Sequence, residues 1–322
     1  MRLKLVPDHT EYDFFKYRTV TFGFSAVLMV ISLALWLTVG LNFGIDFRGG
    51  TTIRTQAEQP MDVGSYRDAI APLELGDVSI SEVFDPTFAA DTHVAMIRIQ
   101  AQDGEESVSA DTVKSVEEAL QELDETIRFT SVESVGPKVS GELIQTAVLA
   151  VAAALAAILF YIWLRFEWQF SVGAVAALFH DVVLTIGIFS ALQIRFDLAT
   201  IAALLTIIGY SINDTVVIFD RLRENLRKFK TKPLRDVMNL SVNETLSRTL
   251  MTSGTTLIAL IALLVLGGDV IRGFVFAIFW GVIVGTYSSV YVAKNVVLWL
   301  GVKRDWSKPT DTTGNQFANI DA

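Results

Sequence analysis

The sequence predicts a polytopic α-helical membrane protein, with six transmembrane helices and a small exported α+β domain between helices 1 and 2. Three observations carry this reading. The mean hydropathy is +0.46, with 52% hydrophobic and only 19% charged residues in 322, which is too apolar for an ordinary soluble protein. Six runs, 17–40, 143–164, 168–192, 197–219, 249–267 and 273–300, reach the roughly 20 residues of helix that a ~30 Å hydrocarbon core demands. Lysine and arginine cluster on one side of those runs, which fixes their orientation.

The N-terminal segment 1–16 and the start of the first run carry Arg2, Lys4, Lys16 and Arg18, so the chain begins on the cytoplasmic side. The run 17–40 is longer than a signal-peptide core and no small-x-small cleavage site follows it. It is expected to stay as a span, with no cleaved leader.

Residues 41–142 form an exported segment long enough for a domain with its own core. "GGTTIRTQ" alternates as a strand and "DVGSYRDAIAPL" has helical spacing. "VSISEVF" and "HVAMIRIQ" alternate again. "SADTVKSVEEALQELD" opens on a Ser or Asp cap with Val113, Val116, Leu120 and Leu123 at three- and four-residue spacing, and "TIRFTSVESV" closes as a strand. The order βαββαβ is that of a ferredoxin-like sandwich, a four-stranded antiparallel sheet with two helices on one face. There is no cysteine, so no disulfide holds it. The chain's net charge of −9 comes almost entirely from an acidic excess between residues 46 and 142, which argues against a nucleic-acid partner.

Two short motifs border the domain. "FGIDFRGGT", residues 43–51, follows the first span; Gly44, Gly49 and Gly50 allow close backbone approach or positive φ, and Asp46 and Arg48 are placed to pair. It lacks the GK[ST] ending of a phosphate loop, and its expected role is a rigid hinge. "SVGPKVSGEL", residues 134–143, plays the matching part on the return. There Gly136 and Pro137 end the last strand, and Lys138 and Glu142 sit at the boundary.

The stretch 143–300 is expected to be a five-helix bundle. Links such as "RFEWQF" are short enough to make consecutive helices antiparallel neighbours. The links around Arg195 and from Asp269 to Arg272 are poor in basic residues and go outside. The loop 220–248 carries Arg221, Arg223, Arg227, Lys228, Lys230, Lys232 and Arg235, and goes inside with the tail 301–322, which holds Lys303, Arg304 and Lys308. Both termini are therefore expected in the cytoplasm. The loop has helix-forming residues on both sides of Pro233 and is expected to lie along the membrane surface before span five, and the tail beyond Lys308 has a disordered composition.

Polar residues inside the spans are the candidate chemistry. In "GYSINDTVVIFDR", residues 209–221, Asp214 lies some five residues, about 8 Å, below the cytoplasmic boundary. So short a carboxylate needs a cation, a water-filled cavity or a proton there, with Tyr210, Ser211, Asn213 and Thr215 as polar neighbours. Arg248 enters from the same side at similar depth, on a span whose cytoplasmic half holds Thr249, Thr252, Ser253, Thr255 and Thr256, with Gly254 for close approach. An Asp214–Arg248 pair, made and broken by protonation, is the expected switch; the competing reading is a static ion pair that fixes packing. His180 and Asp181 fall at the middle of the third span. Adjacent helical residues point about 100° apart, which sends one to the bundle and the other elsewhere, as a relay or as a packing contact. There is no nucleophile with its base, no metal cage and no nucleotide cradle, so the chain reads as no enzyme, with protons as coupling ion and no other cofactor. An intramembrane aspartyl protease would need Asp181 and Asp214 to face each other, together with a glycine-x-glycine-aspartate stretch that is absent.

"GIDFRGGT", "SVGPKVSGEL", "FHDVV", "IGYSINDTVVIFDRLREN" and "NETLSRTLMTSGTTL" occur in an order and spacing that resemble the SecD/SecF family of bacterial protein-export membrane proteins, within the resistance-nodulation-division superfamily. The resemblance spans nearly the whole chain. It implies a multi-pass protein of the inner membrane with residues 41–142 periplasmic, working in lipid with SecD, the SecYEG channel, commonly YajC, and preprotein substrates. It implies use of the proton-motive force in late translocation and release. By motif it places Asp214 and Arg248 in the proton pathway, with a further aspartate from SecD. Two other functions compete: a proton-driven small-molecule transporter of the same superfamily, and a scaffold without proton chemistry.

Overall fold

The computed structural model describes residues 10–302 except 61, 77, 84–91 and 101–107. Arg2, Lys4, Lys303, Arg304, Lys308 and the tail expected to be disordered lie outside the described residues. Helix α1 (Arg18–Thr38) leads into the short strand β1 (Asn42–Phe43) and the one-turn helix α2 (Ile45–Arg48). The domain follows: β2 (Gly50–Ala57), α3 (Val63–Ile70), β3 (Val78–Val83), β4 (His93–Gln100), α4 (Ala110–Leu123) and β5 (Arg128–Val135).

All strand pairs in this sheet are antiparallel, in the order β3-β4-β2-β5, so the expected βαββαβ sandwich is present. The local signals explain its helices. Asp62 caps α3 by accepting from Gly64 N and Ser65 N, and Ser109 caps α4 by accepting from Thr112 N. The Ser65 hydroxyl and these amides hold the Asp62 carboxyl below its usual range. One face of the sheet, with Ile53, Ala95, Ile97 and Ile99, is buried against Tyr66, Ile70, Val116 and Leu120 of the two helices. Burial pushes the Tyr66 phenol upward. The other face carries Thr52, Arg54, Met96 and Arg98 and looks toward the bundle.

The bundle comprises α5 (Pro137–Arg165), α6 (Trp168–Leu192), strand β6 (Arg195–Phe196), α7 (Leu198–Lys228), α8 (Leu234–Leu266), α9 (Asp269–Ser288), a π-helical turn Ser289–Ala293, and α10 (Lys294–Leu300). Counting the last three as one, six helices among the described residues are long and apolar enough to cross a membrane. Helices α6, α7 and α9 form the buried centre, while α1, α5 and α8 turn apolar residues such as Leu37, Leu164 and Leu266 outward. Small residues permit the tightest contacts. A Cβ on Gly187 of α6 would lie 2.3 Å from Ser32 Cβ of α1, and one on Gly281 of α9 would lie 2.3 Å from Ile207 Cγ1 of α7.

The stretch 220–248 is helical on both sides of Pro233, and the helices on either side extend past the expected span ends at 219 and 249. Helix α7 runs unbroken to Lys228, and α8 starts at Leu234 directly after its N-cap, Pro233. Proline is tolerated there because a helix start leaves its first N–H groups unbonded anyway. The two extensions form a helical hairpin. Arg221 Nε donates to Glu244 Oε2 at 2.7 Å, and Asn225 Nδ2 donates to Glu244 Oε2 at 2.6 Å and to Ser241 Oγ at 3.1 Å. Sequence hydropathy ends these helices too early because the polar turns lie outside the apolar run, not outside the helix.

The N-terminal segment straps this hairpin. Asn243 Oδ1 accepts from Thr10 Oγ1 and Tyr12 N, Asn239 Oδ1 accepts from Phe14 N, and Arg235 pairs with Asp13 at 3.0 Å. The Phe15 amide, and then Arg235, hold the Asp13 carboxyl below its usual value.

Candidate functional site

The polar centre of the bundle is built on Asp181, not on Asp214. Asp181 of α6 is 1% exposed. Its Oδ2 accepts from Ser211 Oγ of α7 at 2.6 Å and from Ser288 Oγ of α9 at 2.8 Å, and its Oδ1 lies 3.0 Å from His180 Nδ1. Three helices thus meet on one carboxylate. His180 is as buried as Asp181 and stacks on Tyr287 with ring centroids 6.1 Å apart. Tyr287 in turn accepts from Ser25 Oγ and donates to Thr21 O of α1. The expectation that the adjacent His180 and Asp181 diverge is therefore wrong. A 100° separation still allows contact when both side chains bend toward a common buried seam.

Asp214 is 3% exposed, and its Oδ2 has no hydrogen-bond partner. It lies against Ser253 of α8 and within electrostatic reach of Arg248. The expected Asp214–Arg248 ion pair is not formed, since Arg248 is exposed and lines an open groove with Glu244 and Asp220. The expected hydroxyl and amide neighbours go elsewhere too. Ser211 serves Asp181, Thr215 bonds Ser289 at 2.8 Å, Tyr210 reaches Thr256 at 3.4 Å, and Asn213 is exposed on the far side of α7. One helix face holds residues three and four apart, and on α7 that face splits between α9 and α8.

Sequence reasoning missed Ser288, Ser289 and Lys294. The signal was present in "TYSSVYVAK", residues 286–294, a polar-studded stretch inside an apolar span. The π-helical turn sits in that stretch, and such turns widen a helix locally and cluster at functional sites. Here it lets Ser288 reach Asp181 and Ser289 reach Thr215. Lys294, directly after it, is 1% exposed, donates to Phe14 O at 3.1 Å, and lies 3.9 Å from the Phe15 ring centroid. Ser288 at the polar cluster and Lys294 at the strap are thus less than two turns apart on one continuous span.

At the opposite end of the bundle the glycine motif ties the domain to it. Gly44 N donates to Phe196 O at 2.8 Å, β1 pairs with β6, and Asp46 Oδ2 accepts from Leu198 N at 3.0 Å. Asp46 therefore serves the first turn of α7 rather than the expected Arg48. Gly49 and Gly50 have φ of 75° and 127°, backbone that side chains rarely adopt. Gly136 caps α5, which starts at Pro137, and Ser140 of that helix donates to Ile45 O at 3.3 Å. A buried carboxylate ringed by hydroxyls, and a second one with an unpartnered oxygen, can take up or release a proton without metal or nucleotide.

The comparisons with known proteins agree with this architecture. The model of the C-terminal part of protein export membrane proteins SecD/SecF matches residues 115–303, and the SecD/SecF GG motif matches residues 34–61. The protein translocase subunit SecF of Cereibacter sphaeroides is 68% identical, over 100% of this chain and 99% of that one. Its namesake in Rhodobacter capsulatus is 62% identical, over 99% and 97%. The crystal structure of SecDF, a translocon-associated membrane protein from Thermus thermophilus, superposes with a TM-score of 0.81 at 34% identity, over 92% of this chain and 39% of that one. A SecDF crystal structure in a super-membrane-facing form gives a TM-score of 0.67 at 36% identity, with the same coverage. The chain thus spans about two fifths of the SecDF chains. With more than half of its length matched by the family model and a near full-length relative at 68% identity, the chain belongs to the SecD/SecF family of protein-export membrane proteins.

Proposed function

We propose that this chain is a SecF-type subunit of the protein-export machinery in the bacterial inner membrane. It pairs with SecD, acts beside SecYEG and YajC, and uses the proton-motive force to promote late translocation and release of preproteins. Its termini lie in the cytoplasm and residues 41–142 in the periplasm, as the basic stretch 221–235 and the even number of spans support. It is not an enzyme, and its coupling ion is the proton. The observation that carries the proton reading is the burial of Asp181 and Asp214 at the contacts of α7 with α6, α9 and α8. Ionisable residues at such depth are costly and mark ion pathways.

The geometry also supports a route from carboxylate to domain. Helix α7 carries Ser211 and Asp214, and its first turn is held by Asp46 of the glycine motif. One charge crossing 100 mV is worth about 2.3 kcal/mol, enough to shift a two-state equilibrium roughly fifty-fold. The exposed Arg248 is placed to meet a partner's carboxylate rather than Asp214.

The test is the rate of preprotein release in vesicles with an imposed proton gradient, comparing wild type with Asp214→Asn at equal SecF and SecD levels. Loss of the gradient-dependent part with the complex still assembled supports coupling. An unchanged rate sinks the role of Asp214 and favours a scaffold.

A further inference from the structure

Between the helix-free face of the domain sheet and the outer end of the bundle lies a cavity of about 490 Å³, within the usual range of ligand sites. Four arginines line it from two bodies: Arg54 of β2 and Arg98 of β4 from the sheet, and Arg195 of β6 and Arg272 of α9 from the bundle. We propose that this junction binds an anionic phospholipid, its phosphate held by these guanidinium groups and its first methylenes laid against Leu264 and Phe276.

The convergence is direct. Met96 Sδ accepts from Arg98 Nη2 at 3.2 Å and from Arg195 Nη1 at 3.9 Å, so cations from sheet and bundle meet on one weak acceptor. Four cations face three carboxylates, Asp46, Glu133 and Asp197, around this cavity, so the arginines' mutual repulsion is offset in part and a bound anion would complete the balance. Arg54 Nε and Arg195 Nε are buried and donate no hydrogen bond, although a guanidinium offers a fork suited to phosphate. The carboxylates lining the cavity are partly spoken for. Asp46 accepts from Leu198 N, and Asp197 accepts from Thr200 N with its second oxygen 3.7 Å from Arg195 Nε. Glu133 stands on the edge strand β5 opposite Thr52.

Depth favours a lipid over a soluble anion. At about 1.5 Å per residue, Leu264 lies some 3 Å inside the outer end of α8 and Phe276 some 10 Å inside that of α9. Arg54 and Arg98 on the sheet and Arg195 on β6 lie beyond the helix ends, and Arg272, about 4–5 Å inside that of α9, stands between them and Phe276, an order that suits a headgroup flanking a ~30 Å hydrocarbon core. This inference does not depend on proton coupling, and it stands or falls separately.

The chain has no cysteine, so Ser131→Cys, at the cavity wall, takes a single bimane reporter in the full-length protein. In nanodiscs of phosphatidylcholine, brominated phosphatidylglycerol is expected to quench it at much lower mole fraction than brominated phosphatidylcholine. At about fivefold per removed basic group, Arg54→Gln with Arg195→Gln lowers that preference about 25-fold, while Arg54→Lys with Arg195→Lys retains most of it. Both variants are checked for unchanged elution and helicity, and the single variants Arg54→Gln and Arg195→Gln, each expected to lower the preference about fivefold, carry the test should the glutamine pair misfold. Equal quenching by the two lipids in wild type overturns the proposal. So does a preference the glutamine pair leaves intact, or loss of the preference in millimolar inorganic phosphate, which would assign the site to a soluble anion.

Discussion

Asp181→Asn separates packing from coupling at the centre of the bundle. The carboxylate accepts from Ser211 and Ser288 and contacts His180, at 2.6, 2.8 and 3.0 Å. Asparagine keeps the shape and one acceptor oxygen. The amide it adds can donate to a hydroxyl that turns round, so little is left unsatisfied. Side-chain hydrogen bonds in membrane bundles average about 0.6 kcal/mol, and the expected loss of stability is therefore about 1 kcal/mol. What asparagine cannot do is ionise. If Asp181 moves charge during the cycle, its loss removes up to about 2.3 kcal/mol per 100 mV, or roughly fifty-fold in the driven equilibrium. The assay is preprotein release at graded proton-motive force, with thermal unfolding and SecD co-purification measured in parallel. A near-normal melting profile with a flat force dependence is expected. A variant that assembles normally and keeps its gradient stimulation within about twofold of wild type would refute the reasoning, and would leave Asp181 as a packing residue.

Three further outcomes follow from the same contacts. Gly187→Val puts new carbon into Ser32 of α1, and at the roughly 1–3 kcal/mol typical of overpacking it should lower the unfolding temperature in detergent; no change would show that α1 does not pack there. Gly49→Ala forces a side chain onto φ 75°, ψ 165°, at a cost of about 1–3 kcal/mol. It should slow release while leaving the bundle's melting unchanged, and normal release would show that the motif tolerates side chains. The strap at Thr10–Phe15 should respond to acid. Asp13 has its carboxyl held below 3.8, so its contribution is full above that pH and is lost as pH falls through the lower folded value. Amide exchange of the strap, corrected for intrinsic rate, should be flat from neutral pH to about 5 and rise below 3.8. A rise near pH 6 would put another group in control.

Most of the architecture was legible because the signals that carry it are local. Six apolar runs, alternating strands, Asp62 and Ser109 at helix starts, and paired glycines each act within a few residues. The site was only half legible. Asp214, Asp181 and His180 could be named because charge in an apolar run is conspicuous, but their partners depend on how α7 is rotated between α8 and α9. That rotation is set by tertiary contacts such as Gly281 against Ile207, which no sequence period reveals. The Asp214–Arg248 pair failed for this reason: similar depth on two spans says nothing about facing. Ser288 and Ser289 were overlooked because serine weighs little in hydropathy, although the π-helical turn they border makes them central.

These contacts also decide which helix can carry a signal. Helix α7 is held at its first turn by Asp46 and by β6 beside β1, touches the Asp181 cluster through Ser211, and bears Asp214. At its far end Asn225 and Arg221 bind Glu244 of α8, whose neighbouring turns hold the strap through Asn239 and Asn243. A displacement of α7 at the buried carboxylates is therefore felt in the domain that follows α1 at one end and in the α7–α8 hairpin at the other, since a packed helix transmits shifts along its axis. Helix α9 offers a second route to the strap, from Ser288 through the π-helical turn to Lys294 and the Phe14 carbonyl. The arginine-lined junction lies beside the anchored end of α7, so a lipid bound there would load the joint between helix and domain without touching either carboxylate.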